Sequence, residues 1–196
     1  MKVTLASGSA SRRQLLANAG VEADAVSPGV DEEALKASMR AEGASVRDQA
    51  MALAEMKAAK VSRGREGLVI GGDQMLALGE RAFDKPTGLE GAKKHLRTLS
   101  GQSHVLETAL VVCEGGAPVW RHLARPKLTM RPLSEDFIEH YVGSCGEALL
   151  STVGAYQLES LGSQLFTSIE GDYFSILGLP LLPLLDYLRV RGVLET

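Results

Sequence analysis

The stretch LASGSASRRQLL, Leu5 to Leu16, places three serines and two adjacent arginines between a short apolar segment and a pair of leucines. The segment from Lys2 to Ala6 predicts a strand, and the residues after the serines predict a helix that stops at Gly20, a residue typical of helix C-termini. Ser11 followed three positions later by Gln14 has the capping-box pattern, so we expect the helix to begin at Ser11. A strand followed at once by a helix indicates an α/β fold.

The junction between this strand and helix is suited to bind an anion. Ser7, Gly8 and Ser9 precede the free N–H groups at the positive end of the helix dipole. Arg12 and Arg13 lie in the first turn, where cations are disfavoured unless an anion is bound. The alternative is that the arginines form surface ion pairs and the serines only cap the helix. The pattern is neither a Walker A loop nor GxGxxG, so these residues alone predict a phosphate-sized anion and no particular ligand.

A second unusual segment is GLVIGGDQMLAL, Gly67 to Leu78, which is too apolar for a surface loop. It predicts a strand pair interrupted at positions 71–73. A buried carboxylate at Asp73 is costly unless it is paired or binds a metal. A magnesium ion with phosphate oxygens would satisfy it, with Lys85 neutralising further phosphate charge; the alternative is a structural Asp–Lys salt bridge. The acidic run Asp31 to Glu33 adds a metal ligand or forms a solvated loop.

The other elements complete a mixed α/β pattern with an antiparallel hairpin. Ser45 and Asp48 predict a helix start, and Lys57 near the edge of that helix's apolar face is, taken alone, typical of a snorkelling residue. The apolar segment LGLPLLPLLDYL, residues 177–188, packs in the core or against a second copy in a homodimer, and we favour the core. Further elements are predicted as helices at 89–99, from Ser134, and at 180–192, and as strands at 104–113 and 119–130 joined by EGGAP.

The composition limits the classes of function. Twenty-one basic and 24 acidic side chains leave a net charge of −3, so no whole-protein field attracts nucleic acid or an acidic membrane, and we expect neither as a partner. Cys113 and Cys145 are far apart, and the four histidines lack zinc or haem spacing. No apolar run has the length of a signal peptide or a membrane span. We therefore predict a reduced, cytoplasmic protein that folds as one domain over residues 1–196.

Eight segments of the chain form a larger pattern. In chain order they are LASGSASRRQLLANAGV, VDEE, LAEMKAAKV, VIGGDQ, DKPTG, LRTLSGQSH, VGAYQLESLG and ILGLPLLPLLDYL. Together they resemble the Maf family, the septum-formation-inhibitor-like nucleoside triphosphate pyrophosphatases. The segments occur in family order over nearly the full chain, which is far more specific than any single motif.

The resemblance implies a mixed sheet with two lobes around a deep cleft, related to inosine-triphosphate pyrophosphatases. It implies hydrolysis of a nucleoside triphosphate between the α and β phosphates with a divalent metal, Mg²⁺ or Mn²⁺, and house-cleaning of non-canonical nucleotides. The products are a nucleoside monophosphate and pyrophosphate. A second class is a nucleotide-binding regulator of septum formation with little turnover. A regulator has no need of Asp73 beside an acidic metal position, so the sequence favours an enzyme.

The resemblance also assigns site residues by position. Asp73 takes the place of the family's catalytic aspartate, a proton acceptor, and Glu32 matches an acidic position implicated with the metal. Five residues match polar positions of the phosphate pocket: Ser9, Arg12, Arg13, Lys57 and Lys85. The hypothesis is in-line attack on the α-phosphorus by a water that Asp73 orients or deprotonates. The alternative is that Asp73 serves mainly as a metal ligand, together with Glu32.

Three positions, Ser11, Gln74 and Glu159, bear on the choice of base. The family branch that hydrolyses dTTP and UTP reads SPRR, then an aspartate followed by threonine, then a glutamine in GAYGIQG. Gln74 and Glu159 instead resemble the branch acting on 7-methyl-GTP, which has tryptophan at the place of Ser11. A carboxylate at Glu159 can accept from the N–H edge of guanine, and serine lacks the stacking surface of tryptophan. We expect a purine-leaning preference, either 7-methyl-GTP-like or relaxed.

Overall fold

The structure, a computed structural model, describes residues 1–195. Its strands, in chain order, are β1 (Val3–Ala6), β2 (Asp24–Ala25), β3 (Leu68–Leu78), β4 (Arg81–Phe83), β5 (Ser103–Glu114), β6 (Ala117–Ala124), β7 (Lys127–Met130) and β8 (Phe166–Glu170). Its α-helices are α1 (Ala10–Asn18), α2 (Glu32–Ala41), α3 (Val46–Ser62), α4 (Gly88–Leu99), α5 (Glu135–Cys145), α6 (Tyr173–Ile176) and α7 (Leu181–Val190). Short 3₁₀ helices cover Gly146–Ser151, Val153–Ala155 and Leu161–Leu165.

The chain divides into two compact units. Unit 1 consists of Met1–Gln74, Thr108–Ala124 and the segment from Asp172 to the end of the described residues, and unit 2 consists of Met75–Glu107 and Arg125–Gly171. Parallel and antiparallel strand pairs occur together with helices, which confirms the predicted mixed α/β class. The deep cleft and the single domain over residues 1–196 stay predictions.

Unit 1 contains the parallel strands. β1 pairs in parallel with both β2 and β3, and Leu5 lies opposite Ile70. Parallel pairs need crossover connections, which α1, α2 and α3 supply between these strands. Thr108 to Glu114 of β5 form an antiparallel hairpin with β6. Leu179, Leu184 and Leu188 are fully buried in the same core as β1 and β3, so the prediction that the C-terminal apolar segment packs internally is confirmed.

Unit 2 is built from antiparallel pairs and helices. The end of β3 pairs with β4, and β7 lies between β8 and Ser103 to Val105 of β5. α4 packs against α5 and against the 3₁₀ helices Gly146–Ser151 and Val153–Ala155. It buries Ala92, Leu96 and Leu99 as its spacing predicts, whereas Leu89 is exposed. None of the helices described for residues 1–195 has both the length and the apolar character that a bilayer crossing needs.

Two predicted elements of the sheet are wrong in their boundaries. Residues 67–78 do not form a strand pair, because β3 runs without interruption from Leu68 to Leu78. The predicted strand at 119–130 is two strands, β6 and β7, separated by Arg125 and Pro126. Proline has no N–H to donate to a ladder, so a strand does not continue easily through it.

The start of α1 is also wrong as predicted. Ser9, not Ser11, is the N-cap, and its Oγ accepts from the backbone N–H of Arg12 at 3.3 Å. The Gln14 side chain does not reach back to form a capping box, because its Nε2 donates to Asn18 Oδ1 at 2.7 Å. The predicted stop is confirmed, since the helix ends before a glycine with a positive φ of 73°.

Candidate active site

A glycine in β3 allows helix α3 to lie directly on the strand. A Cβ built on Gly71 would lie 2.2 Å from the carbonyl oxygen of Ala54 and 2.7 Å from the backbone nitrogen of Ala58, both in α3. Only glycine permits so close an approach of a helix backbone to a strand. The contact places Lys57 of α3 beside Asp73, two residues further along β3.

Lys57 joins two carboxylates into what we call the carboxylate–lysine cluster, formed by Glu32, Lys57 and Asp73. Its Nζ lies 2.6 Å from Asp73 Oδ1 and 2.9 Å from Glu32 Oε1. The side chains of Lys57 and Asp73 are only 7% and 10% exposed, whereas that of Glu32 is 40% exposed. Within residues 1–195 no donor contacts Asp73 Oδ2, which leaves that oxygen for a ligand. The snorkelling interpretation of Lys57 is therefore wrong.

The acidic run starts a helix, so the solvated-loop interpretation is also wrong. Asp31 is the N-cap of α2, and its Oδ1 accepts from the backbone N–H of Ala34 at 3.0 Å. Glu32 and Glu33 occupy the first turn, where the helix dipole favours negative charge. The first residue of the helix carries the carboxylate that reaches Lys57.

A second charged group, Arg12 of α1, lies in a slot between two glycines. Its Nε donates to the carbonyl oxygen of Gly178 at 2.7 Å, and its Nη1 donates to Ser7 Oγ at 3.2 Å. A Cβ on Gly72 would lie 3.1 Å from Arg12 Nε, and one on Gly178 would lie 3.6 Å from it. Any larger residue at Gly72 would therefore push against the guanidinium of Arg12, a residue that is 9% exposed.

Burial lowers the pKa of Arg12 below its ordinary value, and the negative charges of Asp73 and Glu32 oppose that shift. The two carboxylates therefore act electrostatically on Arg12, although they make no hydrogen bond to it. A guanidinium remains protonated in proteins, so Arg12 is a buried cation. Successive side chains of a strand alternate in direction, and Arg12 lies against Gly72 while Lys57 binds Asp73. The two cations thus approach β3 from opposite faces.

The serines before α1 order its first turn. Ser7 Oγ accepts from the backbone N–H of Ser9 at 3.2 Å, and Ser9 caps the helix. Arg13 and Ser11 are exposed. Arg13 lines a surface depression with residues such as Lys2, and the structure does not bring it to the carboxylate–lysine cluster.

The side chain of Gln74, one residue after the cluster's aspartate, is held by its amide group. Its Nε2 lies 2.9 Å from Thr108 Oγ1, 2.9 Å from the carbonyl oxygen of Ser175 and 3.1 Å from that of Ile176. These contacts connect β3 to β5 and to the one-turn helix α6, all within unit 1.

Lys85 and Glu159 belong to unit 2. Both are exposed: Lys85 follows β4, and Glu159 lies in a turn between two 3₁₀ helices. Neither has a side-chain hydrogen bond or ion pair with another residue in the range 1–195. Their roles in phosphate and base binding stay predictions.

A divalent metal would find an incomplete set of protein ligands. The described residues contain no group of three or more His, Cys, Asp or Glu side chains that could hold a metal ion. Two carboxylates contacting one ammonium nitrogen are nevertheless a donor set that suits Mg²⁺, because Mg²⁺ is commonly bound by one or two carboxylates with water and substrate phosphates. Asp73 and Glu32 therefore fit a metal that binds together with its substrate.

A family model for Maf-like proteins matches residues 2–191 of the chain. The chain belongs to the Maf-like family. It is 74% identical to a protein of Hyphomonas neptunium named nucleoside triphosphate pyrophosphatase, over 100% of this chain and 99% of that protein. It is 55% identical to a protein of the same name from Rhodospirillum rubrum, over 98% and 96% of the two chains. A protein of Rhizobium meliloti named 7-methyl-GTP pyrophosphatase is 50% identical over 97% and 96%.

In this Maf-like chain, sequence reasoning missed the groups that hold the charged residues in place. Gly72 and Gly178 form the slot for Arg12, and Thr108 binds the amide of Gln74. A glycine inside an apolar strand is a signal of close approach by another group, and Gly72 carried that signal. Thr108 carried none, because a threonine in a strand is ordinary.

Proposed function

We propose that this chain hydrolyses nucleoside triphosphates to nucleoside monophosphates and pyrophosphate, the chemistry that the names of its relatives give. The observation that carries the proposal is the carboxylate–lysine cluster. Asp73 is buried and ionisable, and one of its oxygens is held by Lys57 while the other has no donor within residues 1–195. Such a carboxylate is suited to orient or deprotonate a water for in-line attack on the α-phosphorus.

The cations have separate tasks in this reaction. Lys57 holds Asp73 and Glu32 in one orientation, so the base is preorganised before substrate binds. Arg12 faces the start of α1, where Ser9 and free backbone N–H groups favour an anion, and it supplies charge for the triphosphate. Lys85 is proposed to neutralise the leaving pyrophosphate.

A divalent metal, Mg²⁺ or Mn²⁺, would be held by Asp73 and Glu32 together with substrate phosphates. When bound, it would supply Lewis-acid stabilisation of phosphate charge. The protein's own contribution is the fixed position of the two carboxylates, which share one hydrogen-bonding partner in Lys57.

The proposed base preference is 7-methyl-GTP-like or relaxed. Relatives with both kinds of name, nucleoside triphosphate pyrophosphatase and 7-methyl-GTP pyrophosphatase, share about half or more of this chain's residues. Glu159 is exposed and therefore free to accept from the N–H edge of a guanine. Because nucleotides are the substrate, we propose that the protein acts in the cytoplasm.

The test is incubation of the purified protein with Mg²⁺ or Mn²⁺ and a panel of nucleotides: GTP, UTP, dTTP, CTP and 7-methyl-GTP. We expect equal amounts of monophosphate and pyrophosphate, with the highest kcat/KM for the guanine nucleotides. Release of orthophosphate in place of pyrophosphate would contradict cleavage between the α and β phosphates. Nucleotide binding without any turnover would instead support the nucleotide-binding regulator.

A further inference from the structure

The NH₂ group of the Gln74 amide is fully used by the protein. Backbone carbonyl oxygens only accept, so the NH₂ group of Gln74, and not its oxygen, must face Ser175 and Ile176. Thr108 Oγ1 lies on the same amide nitrogen. Three acceptors surround two hydrogens, and the amide therefore has no free hydrogen to donate to a base.

The contacts of Gln74 complete a helix end. α6 is a single turn, and the last carbonyls of a helix have no partner inside it. Gln74 donates to the carbonyls of Ser175 and Ile176, and the Thr108 hydroxyl donates to the Ser175 carbonyl at 3.1 Å. Thr108 and Ser175 are both 0% exposed, so solvent does not reach these groups to replace a lost partner.

The same helix end positions Arg12. The backbone N–H of Gly178 donates to the carbonyl of Ser175 at 3.1 Å, and the carbonyl of Gly178 accepts from Arg12 Nε at 2.7 Å. Arg12 also lies over Gly72, two residues before Gln74 and on the same face of β3. A continuous set of contacts therefore runs from the Gln74 amide through Ser175 and Gly178 to the guanidinium.

We propose that Gln74, assisted by Thr108, is a positioning residue for phosphate binding: it fixes the Gly178 carbonyl that orients Arg12. This assignment differs from the base-reading role that the family resemblance implies for Gln74. It rests on the proposed function, because it takes Arg12 to bind the triphosphate. A base-reading residue changes the ratio of activities between nucleotides, whereas a residue acting through Arg12 changes the affinity for all of them equally.

The probe is inorganic tripolyphosphate, which has phosphates and no base. Gln74→Met keeps the side-chain size and removes the amide. We expect it to weaken tripolyphosphate binding by about tenfold in calorimetry, as for loss of a buried hydrogen-bonding partner. KM should rise by the same factor for GTP, UTP, dTTP and 7-methyl-GTP, with their relative kcat/KM unchanged. Gln102→Met, at an exposed glutamine, is the matched control and should bind as wild type.

Action through Arg12 is tested by combining variants. In an Arg12→Lys background, which lacks the Nε donor, Gln74→Met should cause no further loss of tripolyphosphate affinity. Thr108→Val should weaken binding in the same direction and by a smaller factor, and it carries the test if Gln74→Met does not fold. Additive losses in the double variant would overturn the proposal.

Two other outcomes separate this inference from the proposed function. Unchanged tripolyphosphate binding in Gln74→Met, together with an altered ratio of GTP to UTP activity, would overturn the positioning role and make Gln74 a base-reading residue. A wild-type protein that binds tripolyphosphate and hydrolyses no nucleotide would overturn the proposed function. In that case the binding comparison still decides the role of Gln74.

Discussion

Each unit contains a polar cluster with buried members, and the two clusters differ in charge. In unit 1 the carboxylate–lysine cluster keeps its charges and pairs them through one ammonium group. In unit 2 His104 and Tyr156 are 1% and 5% exposed, with His104 Nε2 2.8 Å from Tyr156 Oη and the ring of Phe166 beside both. We call these three residues the neutral cluster.

The neutral cluster avoids the cost of charge. Burial lowers the pKa of His104 from 6.5 to about 4 and raises that of Tyr156 above its ordinary value, so both stay uncharged near neutral pH. Unit 1 instead keeps charged groups at Asp73, where two carboxylates surround the ammonium group of Lys57. Charged groups out of water are expensive even when paired, which agrees with the chemical task proposed for Asp73, whereas the uncharged pair at His104 fits a structural task.

The largest expected effect is that of replacing Asp73, the proposed proton acceptor of the carboxylate–lysine cluster. Asp73→Asn keeps the shape and an oxygen that accepts from Lys57, and Glu32 still pairs with the ammonium. It removes the carboxylate that we propose as the proton acceptor, so we expect kcat to fall by about 10³-fold. The free energy of unfolding should change by no more than about 1 kcal/mol. Steady-state pyrophosphate release and urea unfolding measure the two quantities.

Asp136→Asn is the matched control for this variant. Asp136 is exposed in the first turn of α5, and its replacement should leave kcat at the wild-type value. Near-normal turnover in Asp73→Asn would remove Asp73 from the mechanism and leave the charged cluster without a chemical explanation.

The next largest effect concerns the neutral cluster, whose histidine makes the free energy of unfolding depend on pH. Unfolded His104 titrates near 6.5, and folded His104 near 4. As the pH falls between these values, the unfolded chain binds a proton at His104 that the folded chain does not bind. The contribution of His104 to the free energy of unfolding is therefore fully present above pH 6.5 and is lost toward pH 4. The loss is about 3 kcal/mol. His104→Gln, which can still bond Tyr156, should reduce the pH dependence of the free energy of unfolding by this amount.

Urea unfolding at both ends of that pH range measures the difference. His140→Gln is the matched control, because His140 is exposed on α5, and it should retain the wild-type pH dependence. If His104→Gln and wild type lost stability equally on acidification, the neutral cluster would not be held by an uncharged histidine.

The charged site was predictable where its signal is local. An aspartate inside an apolar strand is visible in the sequence, and that is why Asp73 was identified. The pairing of Asp73 with Lys57 was not predictable, because this contact depends on the close approach of α3 at Gly71. The acidic run Asp31 to Glu33 was ambiguous because Asp31 caps helix α2, and no apolar pattern in the sequence predicts that helix.

The type of most of the longer elements was predictable, whereas α2, α6, β2 and β8 were not predicted. Helices α3, α5 and α7 begin where their caps or prolines predicted, because those signals have no competitor nearby. The predicted boundaries of elements were wrong where two capping signals lay close together or where pairing with other strands determined the extent of a strand. β3 is continuous through two glycines because neighbouring strands hold it, which a single segment cannot reveal.

The smallest expected effect concerns two possible capping residues, Ser9 and Ser11, of helix α1, which carries Arg12. Ser9 and Ser11 both have a cap-forming side chain, but only Ser9 Oγ accepts from the Arg12 N–H, whereas Ser11 is exposed within the helix. Ser9→Ala should lower the free energy of unfolding by about 1 kcal/mol. Ser11→Ala should change it by less than about 0.5 kcal/mol, since alanine is the better helix former. Thermal and urea unfolding of the two variants decide which serine caps the helix. An equal or larger loss of unfolding free energy in Ser11→Ala would place the helix start at Ser11, and Ser9 would then not hold the backbone N–H of Arg12.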